Sequence, residues 1–268
     1  MMMRMRSNKL LVFVLFLALT PHVYAKDNTK SARDAFRVSS GCGTGDIRDM
    51  FYKANAMYEY SEYNKAVSQY KKIIDEGWVN GSLFYNLGNC YFKEGKLGKA
   101  ILNYEKARRF IPRDSDLESN YKYVKSLIKG GAGREKENFI DRLFAPFTID
   151  EAAILLSVLY LAVLFIAIAG LYIKPIRRYR LFSMSILAIV FIMASIAMYG
   201  KRSKLGKEAI VIKENTDVRF EPFGRATVYF NLYEGAKVKV LSSQKNWCRI
   251  KRWDGKAGWV KKKDIEIF

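Results

Sequence analysis

The chain has 268 residues, with 46 Lys+Arg against 26 Asp+Glu and a formal charge of +20. One histidine, His22, and three cysteines leave almost no raw material for His-based nucleophilic triads, His-ligated metals or imidazole pH switches. Half of the residues are apolar, and they concentrate in three uncharged runs.

The first run opens the chain. Arg4, Arg6 and Lys9 precede Leu10–Leu19, and Val23-Tyr24-Ala25 follow, the layout of a secretory signal peptide over residues 1–25. Its apolar stretch falls well short of the roughly 20 residues that cross a bilayer core. Cleavage after Ala25 is expected, with an uncleaved anchor as the alternative, and cleavage would remove His22. Residues 26–46 read as a linker. Gly41-Cys42-Gly43-Thr44-Gly45 superficially invites a phosphate-binding loop but lacks the lysine and the preceding apolar strand.

From Ile47 the chain repeats itself at an offset of 34 residues: Ala54-Asn55 on Gly88-Asn89, Lys65-Ala66 on Lys99-Ala100, Tyr70 on Tyr104. The copy Gly81–Asp114 resembles the tetratricopeptide repeat at Phe84, Leu87, Gly88, Tyr91, Ala100, Tyr104, Ala107 and Pro112, which the resemblance makes the packing signature of a helix–turn–helix unit. The copy Ile47–Asn80 is weaker, with Lys53 and Trp78 at positions usually Leu and Pro. Asp116–Lys129, with Leu117, Tyr121, Val124 and Ile128 on one face, reads as a capping helix. Residues 47–129 are therefore expected as an all-α repeat domain. Two repeats and a cap are fewer than the three usually needed for a stable array, so self-association or a partner is expected to steady it.

The resemblance also implies a groove for an extended peptide, lined by Arg48, Phe51, Asn55, Tyr58 and Glu59 of one repeat and Ser82, Tyr85, Asn89, Phe92 and Lys93 of the next. Asn55 and Asn89 are equivalent, and a side-chain amide can pair with a peptide through donor and acceptor. Phe51 and Tyr85 stand where relatives that clamp a C-terminal carboxylate often carry lysine, so an internal segment of a partner is the expected ligand.

Residues 130–150 read as a second linker, with Gly130-Gly131-Ala132-Gly133 as a joint and the aromatic stretch 139–147 suited to a membrane interface. Two runs then suit membrane spans, within 151–173 and 181–200. Ala152–Ile173 and Leu181–Gly200 carry no charge and are long enough for a core of about 30 Å. Lys174–Arg180 and Lys201–Lys207 are equally basic, so charge alone does not orient the hairpin. The export signal does: it places residues 174–180 as a cytoplasmic loop of the inner membrane and both soluble portions in the periplasm.

Residues 201–268 change to short β-branched and aromatic runs punctuated by Glu234-Gly235 and Asp254-Gly255, which predicts a small all-β barrel. Val218-Arg219, Leu232–Val240, Trp247, Asp254-Gly255-Lys256 and Gly258-Trp259-Val260 resemble bacterial SH3-like domains. Trp247 and Trp259 are its candidate surface aromatics, with core or rim packing as the plain alternative. The segment carries a net charge of +9. Export argues against nucleic acid and for anionic lipid or cell-wall polymer, with simple solubility as the alternative.

No cofactor, metal or catalytic constellation is expected. Cys42, Cys90 and Cys248 form no CxxC pair, although an oxidising compartment would permit a Cys42–Cys90 disulfide. The order of segments resembles the BatE-like repeat proteins of Bacteroides aerotolerance (Bat) operons. That resemblance implies a non-enzymatic scaffold beside von Willebrand A-domain membrane proteins and a MoxR-type ATPase, in stress tolerance or envelope maturation. A peptidoglycan-binding protein acting through the SH3-like domain is one alternative. An accessory subunit of a transporter or enzyme is another.

Overall fold

The computed structural model describes residues 44–128, 143, 145–172 and 174–268. The expected signal peptide, Cys42 and the Gly130–Gly133 joint lie outside them. Five of the described helices form the repeat region: α1 Thr44–Glu59, α2 Tyr63–Asp75, α3 Gly81–Lys93, α4 Leu97–Phe110 and α5 Ser115–Leu127. Their ends are set by local chemistry. Asn80 caps α3 by accepting from the Leu83 amide at 2.8 Å, and Asp114 caps α5 by accepting from the Leu117 amide at the same distance. The two caps stand one repeat apart. At that same offset Leu83 corresponds to Leu117 and Asn86 to Asn120, so α5 occupies the place of the first helix of a further repeat.

Two helices, α6 Ile149–Tyr172 and α7 Lys174–Lys204, pack on each other as a hairpin. Both are long and apolar enough to cross a membrane. Few of their side chains are buried: Phe165 is 71% and Leu181 73% exposed. A core helix of a water-soluble protein would hide such residues, so these surfaces fit association with a membrane. Lys174–Arg180, expected as a loop, is helical and opens α7. Pro175 falls in the first turn, where its missing N–H breaks no helical bond, so the basic segment continues the helix.

A reciprocal capping box starts α6. The Thr148 amide donates to Glu151 Oε2 at 2.9 Å, and the Glu151 amide donates to Thr148 Oγ1 at 3.1 Å. Arg113, between α4 and α5, pairs with Glu151, and Lys201 Nζ donates to the Phe147 carbonyl. The first contact holds the hairpin's open end against the repeat, and the second ties the end of α7 to the start of α6.

The β domain holds seven strands among the described residues: β1 Glu208–Val211, β2 Asn215–Arg219, β3 Val228–Tyr233, β4 Lys237–Gln244, β5 Trp247–Lys251, β6 Ala257–Lys261 and β7 Ile265–Ile267. They form one antiparallel sheet in the order β3-β2-β6-β5-β4-β1-β7. Bulges between Val218 and Arg219 and between Val240 and Ser242 bend it. Gly235 and Gly255 take positive φ at the turns that the sequence marks.

The two soluble portions touch. Along β1 the side chains alternate. Ala209 and Val211 join the β core, whereas Ile210 joins the helical core together with Phe268. On α4, Gly98, Ile101, Glu105 and Arg109 recur at helical spacing and face the β domain. Gly98 approaches the Val211 carbonyl so closely that a Cβ there would stand 2.6 Å from its oxygen. The Gly98 amide donates to Glu234 Oε2 at 3.2 Å, and α4 has no cap from its own Lys96 side chain. A β-domain carboxylate thus meets the positive end of a repeat helix. Lys106–Glu266 at 3.0 Å and Lys237–Glu105 at 3.6 Å complete the contact. The partner expected to steady the short array is, in part, the chain's own β domain.

Candidate functional site: the concave face of the repeat

The helices α1 and α3 carry the expected groove residues. Arg48, Ser82 and Lys93 are exposed, Phe51, Asn55, Tyr58, Tyr85, Asn89 and Phe92 are half-buried, and Glu59 is exposed. Asn55, Tyr58, Glu59 and Asn89 line one cavity of about 280 Å³ together with Tyr70 and Asn86. Phe92 is drawn aside, edge-on to Tyr123 of α5 at 5.8 Å, and Phe51 packs edge-on against Tyr70 at the same distance.

The two asparagines are built into a hydrogen-bond ladder that itself repeats. Asn55 Oδ1 accepts from the Tyr70 hydroxyl at 2.5 Å and from Asn86 Nδ2 at 3.0 Å. One repeat later, Asn89 Oδ1 accepts from the Tyr104 hydroxyl at 2.7 Å and from Asn120 Nδ2 at 3.3 Å. A carbonyl oxygen has two lone pairs, and both are engaged here. The expectation of an amide pairing through donor and acceptor is therefore narrowed: both Oδ1 acceptors are taken within the fold, which leaves the Nδ2–H donors. Tyr85 is fixed as well, its hydroxyl accepting from Asn120 Nδ2 at 2.8 Å.

Electrostatics keep the ladder in one protonation state. Burial, reinforced by neighbouring ionisable groups, raises the Tyr70 and Tyr104 phenols above their ordinary value, so both remain hydroxyl donors at any physiological pH. Burial first, then the Glu94 carboxylate, pushes the Cys90 thiol up to about 12, which leaves it an unreactive core group.

The packing signature lies behind this face. Phe84, Leu87, Tyr91, Ala100, Tyr104 and Ala107 are buried, and Pro112 follows the end of α4 half-buried. At Gly88 a Cβ would stand 2.6 Å from the Tyr104 ring, so the missing side chain is room for the aromatic that reaches Asn89. Packing and groove are linked through that residue.

In the β domain Trp247 and Trp259 are half-buried within β5 and β6, whereas Trp253 in the β5–β6 turn is 58% exposed. Sequence reasoning passed over a surface cluster in the same domain. Phe220 and Tyr229 lie 4.5 Å apart, Arg252 lies over the Phe230 ring at 4.7 Å and Lys256 over Tyr229 at 5.9 Å. It also passed over Asn86 and Asn120, which the offset of 34 residues pairs as plainly as Asn55 and Asn89. For Glu105, Glu234 and Lys237 no sequence signal existed. Among the described residues, no cluster of His, Cys, Asp and Glu has the makeup to hold a metal ion.

Residues 82–114 match the tetratricopeptide repeat family, and residues 214–266 match the bacterial SH3 domain family. No curated protein matches the chain. The chain thus joins a tetratricopeptide-type helical repeat to a bacterial SH3-like β domain through two apolar helices.

Proposed function

We propose that the protein is a membrane-anchored adaptor that takes an internal, extended segment of a partner protein into the concave face of its repeat. The tetratricopeptide match supports a role in protein–protein interaction, and α6 and α7 supply the anchor. One observation carries the choice of surface. The face of α4 away from the groove is covered by the β domain, while the Asn55 and Asn89 donors stay open to solvent around a cavity built by the ladder. By its resemblance to BatE-like proteins, the partner class is a von Willebrand A-domain membrane protein in an envelope complex with a MoxR-type ATPase. Both soluble portions then lie in the periplasm, and the chemistry of the complex rests with its partners.

Arg48→Glu/Lys93→Glu reverses two exposed groove charges that belong neither to the ladder nor to the core. The double variant is expected to insert and melt like the wild type while losing co-purified envelope proteins. Retention of every partner at wild-type level would move the binding role elsewhere. The β domain is where it would go. Its cluster of Phe220, Tyr229 and Phe230 flanked by Arg252 and Lys256 offers stacking faces and cations to a glycan or peptide of the cell wall.

A further inference from the structure

Where the repeat, the β domain and the helical hairpin meet, the structure holds a cavity of about 700 Å³. One wall is the start of α6, Thr148–Asp150, and another is the end of α7 with Arg202 and Leu205. The uncharged runs begin at Ala152 and end at Gly200, so these walls lie within about five residues, roughly 8 Å along a helix, of the hydrocarbon edge. If α6 and α7 cross a bilayer, as the proposed function requires, this cavity opens at the level of the headgroups.

Its chemistry is divided in the way a phospholipid is divided. Val79 and Phe110, 47% and 44% exposed, stand at the mouth, and Trp78 beside Val79 is also exposed. Tryptophan at this depth is typical of a membrane interface. Phe84, which is buried, continues the apolar lining inward, and Leu205 adds apolar surface on the hairpin side. Cations complete it: Lys106, Arg109 and Arg202, against the Asp150 carboxylate. Arg109 is half-buried, with a long 3.9 Å pairing to Glu208 and its guanidinium 4.4 Å from the Phe268 ring centroid. Burial lowers its pKa, although Glu208 and Glu105 pull the other way. A guanidinium with five donors in that position suits a phosphate.

We propose that this cavity binds an anionic phospholipid of the surrounding leaflet, with its phosphate at Arg109 and Lys106 and its acyl chains passing Val79 and Phe110 into the bilayer. Basic pockets beside membrane helices bind acidic headgroups in this manner. The lipid would bridge the repeat, the β domain and the hairpin, fixing the groove relative to the membrane surface.

The test uses the full chain in liposomes containing a photoactivatable phosphatidylglycerol or the same probe on phosphatidylcholine, with labelled peptides mapped by mass spectrometry. The phosphatidylglycerol probe is expected to label the Trp78-Val79 turn and the end of α4 about five-fold more than the phosphatidylcholine probe, the weight of one cation near an anionic headgroup. Arg109→Gln is expected to lower that labelling by a similar factor. Because Arg109 also touches the β domain, Val79→Glu at the exposed mouth provides a second variant, expected to cut labelling with an unchanged melting temperature. Equal labelling by both probes, or labelling confined to α6 and α7, would overturn the site and leave the membrane anchor standing. Displacement by inorganic phosphate would reduce it to a free-anion site and overturn the lipid assignment. Failure to label α6 and α7 as well would remove the anchor and the site together.

Discussion

Glu105 lies buried on α4, 3.6 Å from Lys237, 3.8 Å from Arg108, and accepting from the Tyr121 hydroxyl at 2.7 Å. Burial alone would raise its pKa, but Lys237, Arg108 and the Tyr121 hydroxyl together hold it below the ordinary carboxylate range. A carboxylate depressed on folding contributes stability that is fully present above its unfolded value and is lost as pH falls through its folded value. Contact between the two domains is therefore expected to weaken below about pH 4. Glu105→Gln keeps an acceptor for Tyr121 and removes the charge, and at neutral pH it should cost about 1–3 kcal/mol. Melting temperatures of both proteins across acid pH check this: the gap should close as the wild-type carboxylate protonates. A gap constant down to pH 3 would mean that the charge contributes nothing. The sequence shows only Arg108, one helical turn on from Glu105; Lys237, 132 positions away, reaches the carboxylate only in the fold.

At the scale of elements, α2 and α4 are equivalent by repeat, yet they face different neighbours. Gly98 of α4 corresponds to Asn64 of α2. Gly98 lies under the backbone of the β domain, whereas Asn64 is exposed. Alanine is a better helix former than glycine by about 1 kcal/mol, so propensity alone favours Gly98→Ala. The added Cβ would stand 2.6 Å from the Val211 oxygen and 3.2 Å from the Gly235 nitrogen, backbone atoms that cannot rotate away. Overpacking of about 1–3 kcal/mol should win. Gly98→Ala is expected to lower the melting temperature and open the domain contact to limited proteolysis, while Asn64→Ala does neither. A stabilised Gly98→Ala would mean that the β domain does not rest on α4. The turns carry the opposite lesson. Ser61 and Gly95 both take positive φ between paired helices, one repeat apart. There the repeat imposes the same turn on two different residues, at a strain that serine bears and glycine avoids.

At the scale of the whole molecule, the domain contact and the hairpin constrain each other. The last turns of α7 lead into β1, and the Gly206 amide donates to the Phe268 carbonyl at 3.0 Å, so the β domain is held close to the end of its helix. Surfaces that touch lie on one side of a membrane, which is what an even number of crossings delivers. Alkaline phosphatase fused after Lys129 or after Phe268 is expected to be active at both sites, and green fluorescent protein dark at both. Fluorescence at either site would break the periplasmic topology.

The sequence by itself determined most of the elements, the helical start of α7 at Lys174–Arg180 excepted. A period of 34 residues, two uncharged runs and a series of turn-punctuated β runs are each short-range patterns, set by how side chains recur along a helix or a strand. The sequence also marked Asn55 and Asn89 as equivalent, because a repeat writes equivalent positions twice. What those amides bond to, and which face of α4 is covered, were decided by tertiary structure. Gly98 and Glu234 stand 136 positions apart, and Lys106 and Glu266 160 apart, with two apolar helices between. Complementarity of that kind has no period. It exists only once the hairpin folds back and brings two separately patterned surfaces within hydrogen-bonding distance.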